Sequence, residues 1–262
     1  MLNHLDLFSG IGGFSLASQW VGGIHTTQFV EIDSQVQSVL KKRFPKVPIY
    51  GDVSTFNIPD RRYDIITAGF PCQEISVASH GVGLDGERSG LFYEVIRTIR
   101  QYRPRYCVLE NVAALLTSNK GRDMRRVLWE LSQSGYDAEW EIIPASALGA
   151  NHKRERIWIV AYPNSLGRSI EDWAECPAIP KREFLSTNNQ REELCPTYEC
   201  PQLSSAPRLG DIAKFPRAYD GLSRGMDESE RRMRIRALGN SISPQVGMVP
   251  LQRVVDLESQ FN

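Results

Sequence analysis

The chain has 262 residues, 41% of them apolar, which suits one sizeable domain with a smaller insertion and a real core. Its 31 basic residues are balanced by 31 acidic ones, so it is not a global polycation and any polyanion must be gripped by local clusters. No apolar run approaches bilayer length, the amino terminus lacks a leader pattern, and five cysteines show no regular pairing, so a cytoplasmic protein without membrane partner or disulfide scaffold is expected.

Strand-like runs at His4–Phe8, Thr26–Val30, Tyr63–Ala68, Tyr106–Leu109 and Arg156–Tyr162 alternate with helical patterns. Such alternation predicts a mostly parallel sheet covered by helices. The first run turns through Ser9-Gly10-Ile11-Gly12-Gly13, where glycines let a ligand approach a helix amino terminus. The spacing is not the GxGxxG fingerprint, and a tight turn explains such a loop equally well. Glu31, 21 residues beyond Gly10, ends the second run about where an acid accepts hydrogen bonds from ribose hydroxyls. Asp33 is placed to cap a helix whose apolar period is Val36, Val39, Leu40 and Phe44. Asp52, at the next strand end, is placed for an adenine amino group. Either acid alone suits a cap or water as well; together they favour a nucleoside cofactor.

Gly69-Phe70-Pro71-Cys72-Gln73 follows the third run. Proline fixes the backbone there, so the Cys72 thiol is expected to project at the sheet edge. Alone, such a cysteine is more often a small hydrophobe. A glycine-rich loop then leads to a helix with Val95, Ile96 and Ile99 inward. Glu110-Asn111-Val112 closes the run from Tyr106, placing a carboxylate at the same edge. Tyr136–Pro144 is followed too closely by Arg156–Tyr162 for a helical crossover, so the two are read as an antiparallel pair. Lys153-Arg154-Glu155-Arg156 opens the last strand at that edge, or else forms a solvated turn. His152 has no visible third partner for a Cys/His hydrolase. Residues 163–216 carry seven prolines, eight acidic and six basic residues, and no clear period. Ser243-Pro244 opens a closing helix with Val246, Val249, Leu251, Val254, Val255 and Leu257 on one side.

Taken in order, Phe8-Ser9-Gly10-Ile11-Gly12-Gly13, Glu31, Gly51-Asp52-Val53, Pro71-Cys72-Gln73, Glu110-Asn111-Val112, Arg154-Glu155-Arg156 and Leu238-Gly239-Asn240-Ser241 resemble the motifs of the cytosine-C5 DNA methyltransferases. The compact ending, Arg217–Gly221 with Asp227 and Arg234, resembles small phage or prophage members. The resemblance implies an α/β, Rossmann-like fold dependent on S-adenosylmethionine, with a mostly parallel sheet, an antiparallel final strand pair and a small irregular target-recognition region. It divides the chain into a catalytic part at 1–162, a recognition slot at 163–216, and final motifs with a returning helix at 217–262. It implies a cofactor pocket of Phe8, Gly10, Ile11, Glu31, Ile32, Asp52, Val53, Pro71, Leu91, Asn240 and Ser241, and a mobile active-site loop near 83–92. The slot is short for the family, and Asn151 and His152 stand where several relatives carry Gln and Pro.

The implied catalytic set is Cys72, Glu110, Arg154 and Arg156. Cys72 would add to carbon 6 of a cytosine flipped out of duplex DNA, Glu110 would protonate nitrogen 3, and Arg156 would meet the O2 oxygen. Ser76 and Arg88 in the loop are placed to reach phosphate. Double-stranded DNA is the expected partner, with a cognate restriction endonuclease as an open second one, and a monomer is expected. Methylation of tRNA, or a non-catalytic DNA-binding relative, are the alternatives. Arginines at 97, 100, 103 and 105, and at 122, 125 and 126, suit either phosphates or water. Cys176, Cys195 and Cys200 lack a fourth ligand and CxxC spacing, so no metal is expected.

Overall fold

The computed structural model describes residues 1–71, 90–164 and 237–261. Among these residues seven strands form one sheet: β1 (Leu2–Leu7), β2 (Ile24–Val30), β3 (Ile49–Tyr50), β4 (Ile65–Gly69), β5 (Tyr106–Val112), β6 (Tyr136–Pro144) and β7 (Glu155–Pro163). Their order is β3-β2-β1-β4-β5-β7-β6. Strands β1 to β5 pair in parallel, whereas β7 runs antiparallel to both β5 and β6. The expected antiparallel pair is therefore present. Because β7 runs backwards, it starts at the edge where the parallel strands end, and Arg156 pairs with Val112. The order also reverses between β1 and β4, which opens a crevice at their carboxyl ends.

Helices α1 (Gly13–Val21) and α5 (Pro244–Phe261) cover one face of the sheet. Phe14, Ala17, Val246, Leu251, Val254 and Leu257 join Val108, Trp158 and Val160 there in one apolar cluster. Helices α3 (Gly90–Tyr102) and α4 (Arg122–Gln133) cover the other face. Their Phe92, Val95, Ile96, Ile99, Met124, Val127 and Leu131 pack with Leu5, Leu7, Leu109 and Ile159. Helix α2 (Ser34–Arg43) starts at the expected cap, for Asp33 accepts from the backbone N–H groups of Gln35 and Val36. Its Leu40, with Phe44, packs on Phe29 of β2. The Ser243 hydroxyl meets the Gln245 side chain rather than a backbone N–H, so Ser243 opens α5 without a side-chain cap bond. Ion pairs join α5 to the sheet, Arg253 Nε to Glu139 at 2.7 Å and Arg105 to Glu258 at 2.5 Å.

Beneath the α1 face lies a closed ring of buried polar side chains. His4 Nδ1 is 2.8 Å from Thr26 Oγ1, and Thr26 is 2.9 Å from Ser15 Oγ. Ser15 is 3.0 Å from Asp6 Oδ2, Asp6 Oδ1 is 2.9 Å from Thr67 Oγ1, and Thr67 is 2.7 Å from His4 Nε2. Five contacts need five protons. The three hydroxyls supply three, so imidazole and carboxyl together hold two. That is one more than a neutral imidazole and a carboxylate carry. Burial pushes Asp6 up to about 7 and His4 down to about 3, which favours the uncharged arrangement, a carboxylic acid and a neutral imidazole.

Among the described residues no helix is long and apolar enough to cross a membrane. No cluster of three or more His, Cys, Asp or Glu among them could hold a metal ion.

Candidate active site

The first strand stops one residue earlier than the sequence pattern suggests, because Phe8 adopts φ +52 and turns the chain out of the sheet. A left-handed non-glycine residue is strained, and the loop that follows is tied down on several sides. Ser9 Oγ donates to the Asp6 carbonyl at 2.6 Å, and its N–H donates to the Val30 carbonyl at 3.1 Å. The Gly10 N–H donates to Glu31 Oε2 at 2.8 Å, while Glu31 Oε1 accepts from the Asp33 N–H at 2.9 Å. Glu31 thus shapes the glycine loop besides bordering it. Ile32 beside it is 73% exposed, whereas Ile11 is half-buried and Val53 is buried. Asp52 accepts from the Ser54 N–H through Oδ1, and its other oxygen has no hydrogen bond among the described residues. Pro71 is exposed, and Leu91 packs partly against the core at the start of α3.

Gly13 shows how closely the last motif approaches this loop. A Cβ added there would lie 2.6 Å from the Ile242 carbonyl oxygen and 2.8 Å from its Cβ. Gly13→Ala is therefore expected to push the two segments apart, destabilising the fold by about 1–3 kcal/mol. Denaturant titration and calorimetry check this. Ile242 also lies 3.1 Å from the Cβ position of Gly69, so it wedges between the two loop-bearing strands; nothing but its place after Gly239-Asn240-Ser241 distinguishes it in the sequence.

Gly69 pairs with Glu110, and Glu110 Oε2 lies 3.5 Å from the same Cβ position. That is an ordinary contact distance, so the carboxylate lies directly beside the strand that leads into Cys72, and the tighter neighbour of Gly69 is Ile242. Arg156 Nε meets Glu110 Oε1 at 3.0 Å, and its Nη1 donates to the Glu155 carbonyl at 2.9 Å. Burial raises the Glu110 pKa above the ordinary carboxylate value even though Arg156 and Arg154 pull it down. The neighbouring Asn111 is buried and donates to the Phe70 carbonyl at 3.4 Å, holding the segment before Pro71.

Arg154 behaves differently from Arg156. Its backbone is left-handed at φ +33, and its guanidinium donates to the carbonyls of Gly239 at 2.9 Å and Ser241 at 2.7 Å. Asn240 is exposed and Ser241 donates back to the Leu238 carbonyl. Glu110 and Arg156 are brought into direct contact, while Arg154 fastens the Gly239–Ser241 segment beside them. Cys72, Ser76, Arg88 and the rest of the loop before Gly90 lie outside the described residues, as do 165–236 with Cys176, Cys195 and Cys200.

A family model described as C-5 cytosine-specific DNA methylase matches residues 2–218. The chain belongs to the C-5 cytosine-specific DNA methylase family. Among its relatives in that family, the Type II methyltransferase M.NgoBI of Neisseria gonorrhoeae is 36% identical over 219 residues, covering 82% of this chain and 67% of the relative. The Type II methyltransferase M.HpaII of Haemophilus parainfluenzae is 35% identical over 204 residues, 70% of this chain and 56% of the relative. M.DsaV of Dactylococcopsis salina is matched over 48% of its length, so the chain spans about half to two thirds of these methylases. An E. coli prophage protein described as a DNA modification methyltransferase superposes with a TM-score of 0.54 at 28% identity, over 65% of this chain and 50% of that one. The Schizosaccharomyces pombe Dnmt2 methyltransferase shares the fold over 96% of this chain and 98% of its own, with a TM-score of 0.59 and 17% identity.

Proposed function

We propose that this methylase transfers a methyl group from S-adenosylmethionine to carbon 5 of a cytosine extruded from a specific duplex DNA context, through a covalent Cys72 adduct at carbon 6. The observation that carries the reading is the Glu110–Arg156 pair at 3.0 Å, set against Gly69, three residues before Cys72.

The first loop suits the cofactor chemically. Glu31 keeps lone pairs free after accepting two backbone donors, which fits ribose hydroxyls. The exposed Ile32 side chain offers an apolar face for an adenine ring, and Asp52 offers an unpaired oxygen for its amino group. Phe8, Gly10, Ile11, Val53, Pro71, Leu91, Asn240 and Ser241 complete the proposed pocket. When bound, S-adenosylmethionine supplies the electrophilic methyl group.

The chain's own residues prepare the base. The Cys72 thiolate adds to carbon 6, forming a carbon–sulfur bond, while the displaced ring electrons are accommodated as Glu110 passes its proton to nitrogen 3. Carbon 5 thereby becomes nucleophilic. A raised Glu110 pKa keeps that proton available near neutrality, and Arg156 stabilises charge developing at O2. After carbon 5 is methylated, water removes its proton, the carbon–sulfur bond breaks to release the thiolate, and nitrogen 3 returns its proton to Glu110. Arg154 acts as a positioning residue, holding Gly239–Ser241 beside the site. Residues 163–216 are the proposed recognition slot, and a monomeric state and a cognate endonuclease belong to the same proposal.

The names of the Type II relatives support DNA over tRNA. Bisulfite sequencing of DNA from a host expressing the chain is expected to reveal 5-methylcytosine in one short context. Folded protein with cofactor that leaves every context unmethylated would overturn the reading.

A further inference from the structure

Helix α4 begins at the same sheet edge as Glu110, reached from the end of β5 through two short helical turns, Ala113–Leu116 and Ser118–Gly121. Three consecutive residues there, Asn119, Lys120 and Gly121, are left-handed, with φ of 49, 57 and 77. The exposed cations from there along α4 are Lys120, Arg122, Arg125 and Arg126. Arg122, Arg125 and Arg126 stand three and four residues apart and so share one helix face. Every acid in this stretch is withdrawn: Asp123 is 3% exposed and accepts from Ser118, and Glu130 is 6% exposed and accepts from Arg100 at 2.9 Å.

A row of helical arginines is ordinarily just a solvated face, and the contrast with α3 decides the matter. Arg97 is engaged by Glu94 and by the carbonyls of Val53 and Phe56, Arg100 by Glu130 and Ser134, Arg103 by the Ser134 carbonyl and Arg105 by Glu258. Those four brace the fold. On α4, among the described residues, Arg122 and Arg125 reach only Asn119 and Gly121 at their own helix start. Arg126 is 3.8 Å from Glu130 and lies over the exposed Trp129 ring, 5.4 Å from its centroid. In a chain of zero net charge, this is a concentrated positive stripe beside the proposed site.

We propose that Lys120, Arg122, Arg125 and Arg126 form a track for the phosphate backbone of duplex DNA flanking the target cytosine. The inference rests on the DNA reading above. Phosphate contacts of this kind position a duplex without reading its sequence, so the stripe supplies salt-dependent affinity and leaves the choice of site to other residues.

The test is the salt dependence of binding to an unmodified duplex, measured by fluorescence anisotropy for the wild type and for Arg122→Gln/Arg125→Gln/Arg126→Gln. Each lost phosphate contact lowers the slope of log K against log salt by about 0.9. The triple variant is expected to lose about 2–3 from the slope, equally on target and non-target duplexes, with an unchanged melting temperature. The corresponding triple lysine variant is expected to keep the slope, and Lys120→Glu to lower it even if the triple variant folds poorly. Wild-type slopes in both the triple glutamine variant and Lys120→Glu would overturn this inference alone. A wild-type chain without salt-dependent duplex binding would overturn it together with the DNA reading.

Discussion

Glu110→Gln is expected to reduce methyl transfer to cytosine by about 10²–10⁴-fold while leaving duplex binding nearly intact. Glutamine preserves the shape of the side chain and its oxygen can still meet Arg156, but it has no acidic proton to give to nitrogen 3. The pH profile separates this role from a structural one. Burial raises the Glu110 pKa, and the acid works only when protonated, so the wild-type rate falls as pH rises through that raised value. In Glu110→Gln the falling limb due to this group disappears. Single-turnover rates across pH, paired with equilibrium binding, give both quantities.

The second large effect concerns the ring beneath the glycine loop. Asp6→Ala strands Ser15 and Thr67 in a buried space and is expected to cost about 2–5 kcal/mol. Asp6→Asn is expected to be tolerated, because its amide donates to Thr67 and its oxygen accepts from Ser15, as the carboxylic acid does. A ring containing imidazolium and carboxylate would instead suffer from both substitutions.

A raised Asp6 pKa contributes stability that is lost as pH rises from about 4 to about 7, and a lowered His4 pKa contributes stability that is lost as pH falls from about 6.5 to about 3. Between about pH 4 and 6.5 the folded and unfolded pairs each hold one proton, so the two slopes cancel. Asp6→Asn leaves His4 alone, and its stability is expected to drop relative to wild type by about 1.4 kcal/mol per pH unit on acidification through that window. Chemical denaturation at several pH values reads this directly.

What the sequence made legible was local. A gap too short for a crossover revealed the antiparallel β6–β7 pair, and strand ends placed Glu110 and Arg156 at one edge. The ring was hidden because Ser15, Thr26 and Thr67 come from three other elements, and only polar residues alternating on an apolar central strand hinted at it. Arg154 was misleading for a physical reason. Residues two apart on a strand share a face, but the left-handed backbone at Arg154 breaks that alternation and directs its donors to Gly239 and Ser241. The Ile242 wedge likewise arises only when the chain's two ends meet.

Attack of Cys72 on carbon 6 of cytosine, beside Glu110, leaves a covalent species that can be trapped. Fluorine at carbon 5 cannot leave as a proton does, so a duplex carrying 5-fluorocytosine, incubated with S-adenosylmethionine, retains any adduct formed. A denaturation-resistant protein–DNA species is expected with the wild-type chain and none with Cys72→Ala. An adduct that persists in Cys72→Ala, or its absence from folded wild-type protein bound to the substituted duplex, would contradict that attack.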